Sequence, residues 1–267
     1  MPKPTAPWRV NPTVLMSITM AISIGDIEGG PGVPAYHGVV NDSSVPVTPR
    51  PAASVLLLRD APDGPEILYL RRNPELRFMG GFWVFPGGRI EDGDAPVEPS
   101  TDEFAQAKRA AAREAQEEAG VELDPTTLHT ICEWTTPEPS PIRFATWFFA
   151  AVVSPDRIEV DGNEILDYRW DRPEAALQSH RAGNVQFANP TFALSTRLCG
   201  HASAAGMVTA IDSWERERFL GRIHRTEGGK VALYAEDCGY ETGRIECPGP
   251  RHRIWMLDTG WRYERQF

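Results

Sequence analysis

The stretch AAAREAQEEAGV, residues 110–121, decides how this 267-residue chain is read. On a helix, Glu114, Glu117 and Glu118 stand three and four positions apart, so their carboxylates are neighbours and repel. At the helical turn angle the three acids share an arc of about 100°. They lie beside a stripe of small or apolar residues, Phe104, Ala107, Ala111, Ala115 and Ala119, which lets a helix lie close on a sheet. A solvated surface helix is the plain alternative, but such helices alternate charge sign. A carboxylate cluster at the edge of a buried face calls for positive charge, and hard divalent cations such as Mg2+ or Mn2+ prefer oxygen donors of this kind.

Outward from this helix the pattern stays regular. Upstream, ASVLLLRD and EILYLRR are apolar, partly alternating runs separated by APDGP, which predicts two paired strands. A third run, GFWVFPGG, stops abruptly: Pro86 lacks a backbone donor, and Gly87 and Gly88 let the chain turn sharply and approach other groups closely. Ser100 with Glu103 predicts a capped helix start, and Gly120 a stop. Downstream, residues 144–153 predict a long apolar strand. Asp171 and Glu174 around Pro173 predict one capped helix, and Asn189-Pro190 opens another. The rest suggests a charged helix around DSWERERFLG and strands near KVALYAE and HRIWMLD.

Composition bounds the function. Thirty-seven acidic against 27 basic residues give a formal charge of −10. Without a Lys/Arg cluster this argues against nucleic acid or an anionic membrane as partner. The segment Val14 to Gly25 is too short and too polar to span a membrane. Residues 25–50, rich in Gly, Pro and Ser, predict a connector. The four cysteines, Cys132, Cys199, Cys238 and Cys247, show no C-x-x-C spacing and are expected as reduced thiols of a cytoplasmic protein. Cys238 and Cys247 with His252 form at best a weak metal-site pattern.

A glycine pair after a strand followed by REAQEEAGV resembles the Nudix box, G-x5-E-x7-R-E-U-x-E-E-x-G-U with U apolar. Arg113, Glu114, Ala115, Glu117, Glu118, Gly120 and Val121 match its second half. The first half departs: Asp94 stands where the family has Glu, and 18 residues rather than 7 separate it from Arg113, an insertion of 11 read as a longer loop plus extra helical turns. The resemblance implies an α/β/α sandwich with a mixed sheet. It further implies Mg2+ or Mn2+ as cofactor, held by Glu114, Glu117 and Glu118, with Arg113 positioning the acids. Glu117 would take part in catalysis, and Glu164, in DGNEILDYRW, would serve as general base or further ligand; a solvated loop acid is the plain reading of Glu164.

Upstream of the box, LYLRRNPELRFMGGFWVFPGG is similar in spacing to the motif of coenzyme A diphosphatases, matching at Leu68, Arg72, Arg77, Gly81, Phe85, Pro86, Gly87 and Gly88 and departing at Tyr69, Leu70 and Asn73. By this resemblance Arg72, Arg77, Gly87 and Gly88 bind substrate, since guanidinium forks suit phosphate. Later segments resemble the larger, peroxisomal-type members with a C-terminal extension. The expected layout is an arm and connector over 1–47, a Nudix domain over 48–175 and an α+β extension over 176–267. The expected activity is hydrolysis of a small-molecule nucleoside diphosphate, coenzyme A or an acyl-CoA first, with NADH or ADP-ribose as alternative. A non-catalytic nucleotide sensor is the rival of another class. Trp255 and Trp261 could face an acyl chain or the partner of a homodimer, with ordinary packing the plainer reading.

Overall fold

The computed structural model describes residues 47–267 apart from positions 99 and 156. The segment 14–25 and the connector up to residue 46 lie outside the described residues.

Strand β1 (Arg50–Ala61) is the spine of the fold, and Ala52 to Leu58 are buried without a break. Such a run has apolar cover on both faces of the sheet. Val55 and Leu57 pack on the side of helix α1 (Ala105–Ala119), whereas Leu56 and Leu58 face the core built with helices α3 (Asn189–Arg197) and α4 (Ala204–Ser213). A two-residue loop, Pro62-Asp63, returns the chain antiparallel as β2 (Gly64–Arg72), as the two paired runs predict. Two short strands, β3 (Trp83–Val84) and β4 (Gly87–Arg89), pair with β2 and β1. Strands β5 (His129–Thr135) and β6 (Phe144–Val152) extend the sheet on the other side of β1, β6 running parallel to it. Strand β7 (Ile165–Asp171) pairs with β2 and leads into α2 (Pro173–Arg181). The eight-stranded mixed sheet is completed by β8 (Glu217–Leu220), parallel to β5. A second, antiparallel sheet follows: β9 (Arg222–Thr226), β10 (Gly229–Leu233), β11 (Arg251–Leu257) and β12 (Gly260–Gln266). No described helix is long and apolar enough to cross a membrane.

Local expectations meet four corrections. Ser100 and Glu103 do not cap α1. The Asp102 side chain accepts from Phe104 N at 2.9 Å and Ser100 Oγ accepts from Asp102 N, so a turn delays the helix to Ala105, and the insertion is loop rather than extra helical turns. Asp171 and Glu174 do not cap α2: Asp171 pairs with Arg169, and Glu174 accepts from Gly200 N. The charged run after Ser213 is strand, not helix. Phe219 and Glu217 turn inward while Arg216 and Arg218 stay exposed, and the free edge of β5 rewards that two-residue alternation over helical propensity. Finally, Cys238 and Cys247 form a disulfide across the β10–β11 connection, while Cys132 and Cys199 are free thiols. The disulfide removes the thiol-based reason for expecting a reducing compartment, and the weak metal pattern with His252 goes with it. His252 instead bonds Glu236 and Tyr263.

Beside the disulfide lies the most buried ion pair of the second sheet. Arg253 donates through Nε and Nη2 to the two Asp237 oxygens at 2.6 Å each, and Gly239 N and His252 N fill the remaining acceptor positions. Burial pushes the Asp237 carboxyl up, but Arg253 and the backbone donors outweigh it and hold the group below its ordinary 3.8. The stabilisation is therefore complete above that value and is lost as pH falls through the lower folded-state pKa. Asp237→Ala strands a buried guanidinium, and denaturant unfolding should show a loss of about 3–5 kcal/mol. A loss below about 1 kcal/mol would mean that the pair is incidental.

Trp261 packs edge-on against His180 and Phe192, and Trp255 sits against the small core of the second sheet. Both are engaged in intrachain packing.

Candidate active site

Helix α1 lies close on the sheet because Ala107, Ala111, Ala115 and Ala119 present only methyl groups to it. Gly120, at φ 69°, ends it in the left-handed conformation, its N–H bonding back to Gln116 O. The close approach carries Glu114 and Glu118 under the Gly87-Gly88 turn, while Glu117 on the outer flank stays exposed.

The glycines act first on the acids. Gly87 N donates to Glu118 Oε2 at 2.9 Å. A Cβ on Gly88 would run into the Glu114 carboxylate, and one on Gly87 would stand 2.5 Å from Ala53 O. The double glycine lets β4 pair with β1 and the acids reach the same turn.

Arg113 holds a second set of contacts. It grips Asp94 through Nε at 3.0 Å and Nη2 at 3.2 Å, reaches Arg89 O, and donates through Nη1 to Glu114 at 2.9 Å and Glu117 at 2.8 Å. Asp94 thus meets Arg113 despite the 11 intervening extra residues. Burial pushes the Asp94 carboxyl up, but the Arg113 hydrogen bonds outweigh it and leave the group below its usual value. The insertion loops away and returns with Phe104 edge-on to Trp147 and Glu103 paired with Arg216 of the segment leading into β8.

Arg72 comes from the end of β2. The β2–β7 register shifts between Arg71 and Arg72, a bulge that re-aims the side chain. Its guanidinium lies 3.8 Å from Glu118 and 3.5 Å from Glu164, and its buried Nε has no hydrogen-bond partner among the described residues. The Glu164 loop is shaped by Asp161, whose carboxylate accepts from the backbone N–H groups of Asn163, Glu164 and Ile165. It is tied to the Arg72 strand by Asn73 N to Glu164 O and Asn73 Nδ2 to Asn163 O. Asp161 and Asn73 were missed as positioning residues, although D-G-N is a legible turn signal. Arg77 stands apart on the exposed turn between β2 and β3.

Electrostatically the site is short of positive charge. Asp94, Glu114, Glu117, Glu118 and Glu164 face two guanidiniums, Arg72 and Arg113. Burial pushes the Glu118 carboxyl up to about 8, and burial also raises Glu114 against the pull of Arg113. Carboxyl groups that are costly to ionise where they stand, offering only hard oxygen donors, fit a divalent cation.

Residues 48–191, 144 of 267, match the family model described as the NUDIX domain, and the chain belongs to the Nudix family. It is 30% identical over 185 residues to the Caenorhabditis elegans protein named "Putative nudix hydrolase 7", covering 56% of this chain and 60% of that one. It is 29% identical over 194 residues to the Mycobacterium tuberculosis protein named "Putative 8-oxo-dGTP diphosphatase 3", covering 72% and 80%. The crystal structure of a NUDIX hydrolase from Alicyclobacillus acidocaldarius superposes with a TM-score of 0.55 at 23% identity, over 63% of this chain and 99% of that one, and shows the shared α/β fold. Nudix hydrolases generally use divalent metal ions such as Mg2+ or Mn2+.

Proposed function

We propose that this chain is a Mg2+- or Mn2+-dependent diphosphohydrolase of a nucleoside-linked diphosphate, with coenzyme A or an acyl-CoA as first choice. Products would be 3′,5′-ADP and a 4′-phosphopantetheine. The observation that carries the reading is the convergence of Glu114 and Glu118 on the Gly87-Gly88 turn, with Arg72 3.8 Å from Glu118 and the Glu164 loop tied to the end of the Arg72 strand. The three box acids would hold the cation, Glu118 presented by Gly87 N–H, and Glu114 and Glu117 steadied by Arg113. When bound, the ion supplies Lewis acidity that neutralises diphosphate oxygens and lowers the pKa of a water. Arg72, now shared between two carboxylates, is placed to turn its fork to a phosphate oxygen, and Glu164, solvent-facing beside it, to accept the water's proton. Asp94 fills the box position that departs from the family and keeps Arg113 in place, which favours a catalytic over a sensor reading. The layout proposed with this function keeps a Nudix domain over 48–175 and an extension over 176–267.

The name of the M. tuberculosis relative favours one second reading, a nucleoside triphosphate such as 8-oxo-dGTP as substrate. The test is a panel of coenzyme A, acetyl-CoA, NADH, ADP-ribose and 8-oxo-dGTP with Mg2+ or Mn2+, products separated by chromatography. Release of 3′,5′-ADP from the CoA compounds alone supports the first choice, and turnover of nothing removes the enzyme reading. Arg77→Ala should raise KM for coenzyme A by about tenfold and leave ADP-ribose within about twofold, as for one lost charge-assisted phosphate contact. Equal effects on both substrates would remove Arg77 from specificity.

A further inference from the structure

A wide-mouthed surface pocket of about 470 Å³ opens between the end of α3, the link from α4 to β8, and β12. Two guanidiniums, Arg197 and Arg265, line it with Trp214 and Tyr263. Arg197 is more than nine-tenths buried, lying 3.7 Å over the Trp214 ring and 3.5 Å from Glu217 Oε1. Arg265 donates to that same oxygen at 2.6 Å. One buried carboxylate is thus shared by two cations. Glu215 and Arg265 both reach water at the rim, and His252 lies 4.0 Å from Glu217 Oε2 and is disfavoured in its charged form by burial.

The hydroxyls that line the pocket have their protons committed elsewhere. Thr196 donates to Phe192 O and Ser213 to Ala210 O. His252 Nδ1 faces the Glu236 carboxylate at 2.6 Å and carries the ring proton there, so Nε2 accepts from the Tyr263 hydroxyl at 3.0 Å. The donors left to a ligand are the guanidinium N–H groups, five on each arginine, of which Glu217 engages few. One buried guanidinium and one a third exposed, approaching from two elements and sharing a single carboxylate, suit a compact oxyanion whose oxygens point in several directions. The geometry points to this pocket as a binding site for the phosphate group of a small molecule, separate from the box carboxylates.

The test is calorimetric titration of the full-length protein with inorganic phosphate, with chelator present so that the box acids carry no metal. Wild type should bind with one saturable site, Glu117→Gln should bind as wild type does, and Arg197→Met and Arg265→Gln should each weaken binding by about tenfold or more. Should the buried Arg197→Met fail to fold, the more exposed Arg265→Gln carries the comparison alone. Absence of saturable binding, binding unchanged in the arginine variants, loss of binding in Glu117→Gln, or succinate binding as tightly as phosphate would each overturn the assignment. None of these outcomes depends on turnover, so failure of the substrate panel and failure of this site are separately visible.

Discussion

Glu118→Gln is expected to lower kcat for diphosphate hydrolysis by about a thousandfold or more, some 4 kcal/mol of transition-state stabilisation, while the chain still folds. The side chain is 8% exposed, and Gln keeps its shape and its acceptor for Gly87 N, so what is lost is a negative oxygen toward the cation. Glu117→Gln should lose comparable activity although Glu117 is exposed and, among the described residues, bonded only to Arg113, because its contribution also lies in charge. Measured kcat within tenfold of wild type for Glu118→Gln would remove it from the ligand set.

The same substitution has a stability signature with the opposite sign. Because the folded-state pKa of Glu118 is raised to about 8 from 4.5, chiefly by burial, the unfolded chain releases that proton first. Metal-free wild type therefore loses stability as pH rises from 4.5 through 8, and the neutral Gln does not. In chelator at pH 8.5 or so, Glu118→Gln should melt no lower than wild type. A variant that melts well below wild type there would show that the ionised carboxylate stabilises the fold.

Gly87→Ala is expected to lose about a hundredfold in activity and about 1–3 kcal/mol in stability. Its Cβ would stand 2.5 Å from Ala53 O and 2.7 Å from Ser54 Cα, both backbone atoms that cannot swing away. To relieve the clash β4 must pull back from β1, breaking the Ser54 and Gly87 pairing and withdrawing the N–H that presents Glu118. Gly93→Ala is the control, since its Cβ meets nothing within 4 Å among the described residues and Gly93 is not among the positive-φ glycines. Equal activity in the two variants would show that the turn tolerates a side chain and that Glu118 is positioned by other means.

The helix, its Gly120 stop, the β1–β2 hairpin and the convergence of the acids beside an alanine stripe were legible because each depends on local periodicity or on one residue's backbone freedom. The helix start misread at Ser100 shows the limit of such signals. A four-residue pattern matched a cap, but Asp102 lay between and closed a tighter turn. The run WERERFL misled in the same way, since its charges fit a helix and its alternation fits a strand, and only the unoccupied edge of β5 chooses between them.

By itself, then, the sequence determined that three carboxylates share a helix edge and that a double glycine precedes them, since side-chain spacing and allowed φ act over a few residues; the sandwich followed from the resemblance to the Nudix box. The tertiary structure alone decided that Asp94 closes on Arg113 across the insertion, that a bulge aims Arg72 between Glu118 and Glu164, and that Cys238 joins Cys247. It also decided that Arg197 and Arg265 share one buried carboxylate. These depend on contacts between segments far apart in the chain or on how a loop folds back, where the free energy of packing two surfaces outweighs any local preference.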